Sequence, residues 1–497
     1  MKSLKYILIT GCIITALVGC SDSFLDKQPN GGYVSEEQLE EVAKWNPNVL
    51  LGQSYGITRA SFAIGTGGTD RHDDFGQKSV DITLDLMSGD MAMASATYPW
   101  FADAARLMGN AATEDKAYML WRYYFQIIKA ANTIFDLVGG DGNVPEEGSK
   151  NRVYYGQAKA MRAHSYFSLV NLYNQPYEID KNKKSLPIYR SQTSIKAEGL
   201  STVEEVYDLI ISDLKEAVEL LDGYPRPIYS GLEIKSEVNR ATAEGMLAYA
   251  YLTKGDYENA AKCAMNIIRE YPMLSYQNLY NTGFSNIAAS NWIWGIDLTT
   301  ENTGGLGTFW GHIDVFTYSY AFAGDFKVCD QNLYNQISET DKRKFWFDEG
   351  FYLLPVYKFY NAKQDLDNPD MQWIDDEVMM RVEEMYLIAA EAYTRLGNLT
   401  AAKEVFTAFL AERDPAVAQT VEIMTQEQLL ESIYLNWRIE MWGEGKGLLT
   451  MKRFKKSVTR GGNHYYHAGQ TFSWDDDRYF VFEIPEREVL QNPLLNK

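Results

Sequence analysis

Two stretches of the sequence concentrate side chains that could hold a ligand. The first is TDRHDDFGQKS, which places Arg71, Asp73 and Asp74 in a glycine-flanked loop, and Trp100 follows in SGDMAMASATYPWF. The second supplies Trp292, Trp310 and Tyr318 in SNWIWGIDLTTENTGGLGTFWGHIDVFTYSY. Aromatic rings offer flat apolar faces, and carboxylates and guanidinium groups offer hydrogen bonds that fix orientation. These residue types favour a binding site.

The same residues also fit a structural role. Trp292 and Trp294 alternate, as they would on a short strand that turns one ring into the core. Asp73 and Asp74 would then cap local structure instead of contacting a ligand. Both interpretations remain open at the level of the sequence.

The framework that must position these loops is predicted to be helical. The segments 114–138 and 156–173 repeat apolar side chains every three to four residues. A third segment opens with Ser201 and Glu204, the spacing of a capping box, before an amphipathic run. The irregular regions 54–112 and 280–375 lack such periodicity, and long loops on a rigid framework are where function is expected.

Two further segments, 241–272 and 383–415, look like copies of one unit. Aligned on Gly255 and Gly397, both have Ala at position −7, Tyr at −4 and Ala at +5. This is the tetratricopeptide pattern of an antiparallel helix pair with small residues at the contact. Such pairs cannot bury their faces alone, so the helices of 114–221 should flank them. The sequence therefore predicts a mostly α fold, a tetratricopeptide-like array of helix pairs with irregular loop regions forming a ligand face.

The N-terminus has its sharpest change of hydropathy at Cys20. Lys2 and Lys5 precede an apolar run, and the residues after Cys20 are polar and acidic with Pro and Gly. Residues 1–19 are predicted to be an export signal, too short for a confident membrane span. The motif before Cys20 resembles the lipobox of bacterial lipoproteins, so residues 20–32 are predicted to be a lipidated tether. An ordinary signal peptide with an incidental cysteine is the alternative.

The charge balance of the sequence limits the classes of partner that the protein is expected to bind. The 497 residues carry 47 basic and 67 acidic side chains, a net charge of −20. This balance disfavours nucleic acid and anionic membrane surfaces, so membrane attachment is expected through the lipid only. Hydrophobic content of 46% favours a well-filled globular protein. Apart from Cys12 and Cys20, only Cys263 and Cys329 remain, too few for a disulfide framework.

The chain resembles the SusD/RagB family of Bacteroidetes surface lipoproteins over nearly its whole length. Three segments after the lipobox cysteine carry the likeness, which are SDSFLDKQP, GQAKAMRAHSYFSLVNLY and the closing FEIPEREVLQNPLL. A fourth, LLESIYLNWRIEMWGEGKGLLTMKRF, is similar to the family's R-x-E-x-x-x-E-G pattern at Arg438, Glu440, Glu444 and Gly445. The chain departs from the family at Asn436-Trp437 and at Lys446, which concern the scaffold and not the ligand.

The resemblance implies a binding function. Family members sit on the outer membrane over a SusC-like TonB-dependent transporter and capture glycans for import. The tetratricopeptide face meets the transporter, and ligand contacts come from an N-terminal loop region and from a second aromatic region. Here these would be Arg71, Asp73, Asp74 and Trp100, with Trp292, Trp310 and Tyr318. The resemblance also implies one SusD-like domain over 33–497, and a peptide is the main alternative cargo.

An enzyme and a ligand-free scaffold are the other classes of function. A glycosidase needs two carboxylates about 5–10 Å apart, and nothing marks such a pair among the 67 acidic residues. The H-E-x-x-H and phosphate-loop motifs are absent from the sequence. His464 and His467 have the spacing of a metal-binding pair, but the neighbouring glycines favour a loop. The sequence predicts no catalytic residue, no metal and no cofactor.

Overall fold

The computed structural model describes residues 71–496 and Gly52, apart from 193–196, 283, 301–304, 361, 364–366 and 369–370. The chain divides into Met1–Leu51 and Gly52–Lys497, and the described residues belong to the second unit. The predicted signal peptide, the tether and Cys20 therefore lie outside the described residues. Of the first irregular region, 54–112, the described part begins at Arg71.

Eighteen α-helices provide most of the regular structure of the described residues. The first nine are α1 (Gln77–Ser88), α2 (Ala102–Ala105), α3 (Asp115–Leu137), α4 (Lys150–Leu172), α5 (Tyr177–Asp180), α6 (Val203–Leu220), α7 (Arg240–Lys254), α8 (Tyr257–Ile268) and α9 (Tyr276–Thr282). The other nine are α10 (Phe309–Ile313), α11 (Gln331–Tyr334), α12 (Val382–Arg395), α13 (Leu399–Arg413), α14 (Pro415–Ala418), α15 (Gln426–Glu440), α16 (Gly447–Phe454), α17 (Asp477–Phe480) and α18 (Glu486–Gln491). The predicted mostly α fold is confirmed. Within the described ranges, no helix combines the length and the apolar character that crossing a membrane requires.

The long helices form an array in which each packs against the next, in the order α3, α4, α6, α7, α8, α12 and α13. Small residues allow the close contacts. A Cβ atom on Gly156 of α4 would lie 3.0 Å from the side chain of Leu220 at the end of α6. Ala260 and Ala402, which occupy the predicted contact position of the two pairs, are fully buried. The pairs α7–α8 and α12–α13 thus lie where the repeat pattern predicts them.

Local signals explain where these helices begin and end. Gly255 and Gly397 follow the first helix of each pair with φ of 88° and 76°, a conformation that favours glycine. The capping box of α6 is formed by Thr202 and Glu205, each bonding the other's backbone N–H. The predicted Ser201–Glu204 box was therefore one residue too early, because Ser201–Glu204 and Thr202–Glu205 both fit the S/T-x-x-E spacing and the sequence does not distinguish them.

Short strands join distant loops. The ten strands in the described residues are β1 (Met91–Met93), β2 (Lys184–Pro187), β3 (Leu200–Thr202), β4 (Ile228–Tyr229), β5 (Leu232–Glu233), β6 (Trp292–Ile296), β7 (Lys327–Cys329), β8 (Glu377–Arg381), β9 (Val458–Thr459) and β10 (Thr471–Phe472). They form antiparallel pairs, which are β1–β7, β2–β3, β4–β5, β6–β8 and β9–β10. The β1–β7 ribbon joins the two irregular regions, and β6–β8 is buried along its whole length.

The R-x-E-x-x-x-E-G segment connects the helices to these loops. Arg438 donates to the Asp90 carboxylate at 2.7 Å, immediately before β1. The indole of Trp442 donates to the Asp90 carbonyl at 2.8 Å. Gly445 has φ of 74° and donates its N–H to Asp85 of α1 at 3.1 Å. This segment therefore fixes α1 and β1, the elements that lead into the first loop region.

The two glutamates of the same segment belong to a buried cluster of ion pairs. Glu440 accepts hydrogen bonds from Arg343 at 3.0 Å, from Arg381 at 2.7 Å and from Arg413 at 3.2 Å. Glu444 accepts from Arg381 and, at 2.8 Å, from Lys358. Burial alone would raise the pKa of both carboxyls, but the cations hold that of Glu440 well below its usual range and lower that of Glu444 to about 2. We refer to these residues as the arginine–glutamate cluster.

Candidate functional site

The β1–β7 ribbon brings the two irregular regions to one place. Met91 pairs with Cys329 across the ribbon. Beyond its end, the backbone N–H of Tyr98 donates to the Asp325 carboxylate at 2.7 Å. The loop after β1 therefore lies against the loop before β7, although the two are more than 200 residues apart in sequence.

Four aromatic rings meet at this junction, and we call them the aromatic cluster. They are His72, Tyr98, Trp100 and Tyr320. The rings of His72 and Trp100 stack with centroids 5.2 Å apart and 8° between their planes. Tyr320 meets both edge-on, at 5.8 and 6.0 Å, and Tyr98 packs 5.0 Å from Tyr320. His72 and Tyr98 are exposed and Trp100 is half-buried, so the cluster offers ring faces to solvent.

Two more rings stand beside the cluster on the loop that carries Tyr320. The N–H of Tyr320 donates to the Gly311 carbonyl at 2.8 Å, and its side chain is buried. Tyr318 and Phe322, two residues to either side, are 64% and 62% exposed. Their rings lie 6.3 Å apart. Of these three rings, one therefore points inward and two lie at the surface.

The polar groups of the site come from the first loop region. The Arg71 guanidinium donates two hydrogen bonds of 2.8 Å to Asp73 and one of 3.1 Å to Asp103. Its central carbon lies 6.0 Å from the centre of the Trp100 ring. A quarter of the Arg71 side chain is exposed, so it can donate hydrogen bonds to a ligand beside the aromatic cluster. Hydrogen bonding to Asp73 raises the pKa of Arg71 although burial opposes it.

Asp73 itself is not accessible. Its side chain is fully buried between Arg71 and the ammonium of Lys116, which lies 2.7 Å away. Burial alone would raise the pKa of Asp73, but these two cations hold it well below its ordinary range. Asp73 therefore positions Arg71, and the expectation that it contacts the ligand is contradicted by its burial. Asp74 is half-buried in the turn that starts at Arg71, whose carbonyl accepts its N–H at 3.2 Å.

A buried histidine supports the cluster from below. His312 stacks on Tyr320 with centroids 4.9 Å apart and on Phe75 with centroids 5.4 Å apart. Its Nε2 lies 2.9 Å from the His72 carbonyl oxygen. Burial and the nearby Lys327 ammonium lower the pKa of His312. The imidazole is therefore neutral at physiological pH and serves as packing beneath the exposed rings.

Two predicted ligand contacts lie in the core. Trp310 is fully buried on α10, where its Nε1 donates to the Asp375 carbonyl at 2.7 Å. Trp292 is fully buried in a hydrophobic group with Ile287 and Val378. Trp294 is buried as well, since every residue of β6 is buried on either face of the strand. Neither Trp292 nor Trp310 presents a face to solvent, which corrects the expectation that they contact the ligand.

The site thus contains some predicted residues and some that the prediction omitted. The predicted residues at the aromatic cluster and its surroundings are Arg71, Asp74, Trp100 and Tyr318. The omitted ones are His72, Tyr98, Tyr320, Phe322 and the supporting His312. Period-two alternation of aromatics in FTYSYAF, from Phe316 to Phe322, was the signal that could have identified the second loop.

The two histidines with metal-binding spacing have separate partners. His464 Nε2 lies 3.1 Å from the Asp330 carboxylate. His467 Nε2 lies 3.1 Å from the Arg106 carbonyl. In the part of the chain that the structure describes, no group of three or more His, Cys, Asp or Glu side chains is arranged to hold a metal ion.

An array of tetratricopeptide-like helix pairs that carries an open aromatic site on its loops defines a class of binding protein. Two family models match this chain. The model described as SusD-like, starch-binding and associating with the outer membrane matches residues 68–252. The SusD family model matches residues 310–496. The chain belongs to the SusD/RagB family.

Individual relatives are similar over their full length. A SusD-like protein of Bacteroides ovatus is 24% identical over all of this chain and 98% of its own length. SusD-like protein P2 of Formosa agariphila is 23% identical over 99% of this chain and 98% of its own. Both comparisons span the N-terminal residues before Arg71 as well as the described ones.

Solved structures share the fold. A SusD-like carbohydrate binding protein from Bacteroides vulgatus superimposes with a TM-score of 0.75 at 21% identity, over 90% of this chain and 96% of that one. Surface glycan-binding protein A from Bacteroides uniformis gives a TM-score of 0.64 at 16% identity, over 91% and 98%. At these identities the likeness establishes the architecture of the helix array and its loops.

Proposed function

We propose that this protein binds an oligo- or polysaccharide at the aromatic cluster and delivers it to a SusC-like TonB-dependent transporter. The observation that carries the proposal is the open group of rings around Trp100, with the Arg71 guanidinium beside it. Sugar rings have apolar faces that pack on aromatic rings and hydroxyls that need fixed hydrogen-bonding partners. The family, and its solved members described as carbohydrate- and glycan-binding proteins, support the same ligand class.

The proposal includes the location of the protein. Residues 1–19 act as a signal peptide, Cys20 is acylated, and residues 20–32 tether one SusD-like domain over 33–497 to the outer surface of the outer membrane. Two or three acyl chains hold a protein stably, since each buried methylene contributes about 0.8 kcal/mol. The tetratricopeptide-like face of the array then meets the transporter, leaving the aromatic cluster to the ligand.

The experiment that tests the proposal is native gel electrophoresis in gels cast with one polysaccharide each. Amylopectin, arabinoxylan, pectic galactan, laminarin and yeast mannan form the panel. We expect at least one of them to retard the purified protein, and Trp100→Ala to abolish most of that retardation. Retardation by none of them, together with tight binding of mixed peptides in calorimetry, would instead favour a peptide-binding member of the family.

Catalysis is the competing function, and the same material tests it. The pentapeptide GQSYG at residues 52–56 matches G-x-S-x-G, a pattern of serine hydrolases, and lies outside the described residues except for Gly52. We expect no new reducing ends after long incubation of the protein with the bound polysaccharide. New reducing ends made by the wild type would show a glycosidase, whereas release of acetate from an acetylated polysaccharide by the wild type but not by Ser54→Ala would show a serine esterase.

A further inference from the structure

A second group of aromatic side chains lies on other elements of the fold, and we call it the second aromatic surface. It consists of Tyr276 and Tyr280 on α9 together with Phe345 and Tyr357. The rings of Phe345 and Tyr357 stack with centroids 4.6 Å apart and 19° between planes. Tyr280 lies 6.1 and 6.3 Å from these two rings, and Tyr276 continues the row 6.5 Å beyond Tyr280. Phe345 is 57% exposed.

Polar side chains surround this surface. A groove of about 520 Å³ runs beside Phe345 and Tyr357 and is also lined by Glu339, Lys342, Asp348 and Glu349. Ligand pockets typically measure about 300–1,000 Å³, so the groove has room for a short stretch of ligand. The carboxylates accept hydrogen bonds from hydroxyl groups and repel phosphate or sulfate. The combination suits an uncharged, hydroxyl-rich ligand with flat faces.

Three further rings lie next in sequence to residues that border the two aromatic surfaces. Phe326 directly follows Asp325, the residue that accepts the Tyr98 N–H at the aromatic cluster. Its ring lies 5.9 Å from that of Phe351 and 5.5 Å from that of Tyr352. These last two follow Glu349 of the groove in sequence and are 43% and 63% exposed.

The backbone beside these rings is strained. Tyr352 has φ of 58° and the next residue, Leu353, has φ of 64°. Bulky residues rarely adopt this conformation, because their Cβ atoms crowd the backbone there. The Leu353 carbonyl accepts the Cys329 N–H at 3.0 Å, which holds the turn against β7. The Tyr352 ring points to solvent, so its burial does not offset the backbone strain. Strained backbone at an exposed ring is typical of positions that contact a ligand.

We infer that the second aromatic surface holds a further stretch of the same glycan chain, so that the ligand is a polysaccharide longer than the aromatic cluster alone can accommodate. This inference rests on the proposed function. Two contact areas on one chain increase overall affinity by an effective-concentration effect, without any stronger contact at either area. The protein therefore prefers long chains to their short fragments.

The test measures affinity for two lengths of one glycan. The probes are the panel polysaccharide that retards the wild type most strongly and a purified trisaccharide made from it. We expect the double variant Tyr280→Ala/Phe345→Ala to lose about tenfold in affinity for the polysaccharide and to bind the trisaccharide like the wild type. Trp100→Ala should weaken both. Tyr352→Ala, which removes one of the three further rings, is an independent variant that should also weaken only the long ligand.

The matched control is Tyr229→Ala, which removes an exposed ring on the β4–β5 hairpin, an element that contributes no residue to either surface. It should change neither affinity, and all variants should melt like the wild type. Unchanged polysaccharide affinity in both the double variant and Tyr352→Ala would overturn the inference while leaving the proposed function in place. Equal loss for both probe lengths would overturn it as well. A wild type that binds no panel member would overturn the proposed function itself.

Discussion

The indole of Trp310 donates its hydrogen bond to the backbone carbonyl of Asp375, 2.7 Å away in the core. Trp100, by contrast, stacks against His72 at the surface. The two residues look alike in the sequence, since each stands beside a phenylalanine in one of the irregular regions. Their surroundings give them opposite roles, which a pair of matched substitutions can separate.

Trp100→Ala is expected to weaken glycan binding about tenfold or more without a large change in melting temperature. Stacking on an exposed ring is worth ~1–3 kcal/mol, with base–aromatic stacking as the analogue, and 1.4 kcal/mol is tenfold in affinity. Trp310→Ala is expected to cost ~3–5 kcal/mol of folding stability because it empties a buried site. Calorimetric titration and thermal melts of both variants check this. A Trp310→Ala protein with normal stability and weakened binding would contradict it.

Asp73→Asn is expected to destabilise the fold by ~3–5 kcal/mol, because it leaves the buried Lys116 ammonium without its counter-charge. Asp103→Asn removes only the more exposed partner of Arg71 and should cost no more than about 1 kcal/mol. Urea unfolding of both variants measures the difference. Equal, small effects would mean that Asp73 contributes little to positioning Arg71.

Acid unfolding should depend on the arginine–glutamate cluster. The pKa of Glu444 is about 2 in the folded protein against an ordinary value of 4.5. Its stabilisation is therefore fully present above about pH 4.5 and is lost as the pH falls toward 2. Glu444→Gln should cost ~3–5 kcal/mol at pH 7 and reduce the decline of stability with acid. Urea melts between pH 3 and 7 test this, with the exposed Glu431→Gln as a control that should leave the decline unchanged.

Ala260→Trp should destabilise the protein by ~1–3 kcal/mol through overpacking, since Ala260 is fully buried at the contact between helices. The adjacent Asn259 is exposed, so Asn259→Trp on the same helix should change stability by less than about 0.5 kcal/mol. Thermal melts compare the two. If both variants melt alike, the packing of the α7–α8 pair differs from that described.

Cys20→Ala should release the protein from the outer membrane if Cys20 carries the lipid. Fractionation of cells and protease accessibility of intact cells measure location and exposure. Ser21→Ala is the control, because the neighbouring residue takes no acyl chain. A Cys20→Ala protein that still reaches the cell surface in the membrane fraction would refute lipid anchoring at this residue.

Features that depend on neighbouring residues were predictable from the sequence. The spacing of Gly255, Ala248 and Ala260 is set within one helix pair, so its pattern identifies α7–α8 without knowledge of the rest of the fold. The resemblance added the order of the motifs, and the structure explains one of them, because Arg438 reaches Asp90 beside β1. The resemblance also implied that both irregular regions contribute ligand contacts, without showing which strands join them.

Features that depend on distant pairing were not predictable. Trp292 and Trp294 alternate with other residues as in a half-exposed strand, yet β6 is buried at every position, on both of its faces. Asp73 looked like a ligand group because its buried partner, Lys116, lies 43 positions further along the chain. A single sequence does not show which loop residues another segment will cover.

The β1–β7 ribbon also determines when the candidate site forms during folding. Ser95 and Gly324, which bond beyond its end, are 229 positions apart. Closing so long a loop costs chain entropy before any contact repays it, and such non-local pairings slow folding. A molecule whose helices have formed but whose ribbon has not closed therefore has no aromatic cluster. A ligand-binding assay on this protein therefore counts only the molecules that have completed folding. Circular dichroism would also count molecules whose helices have formed but whose ribbon is still open.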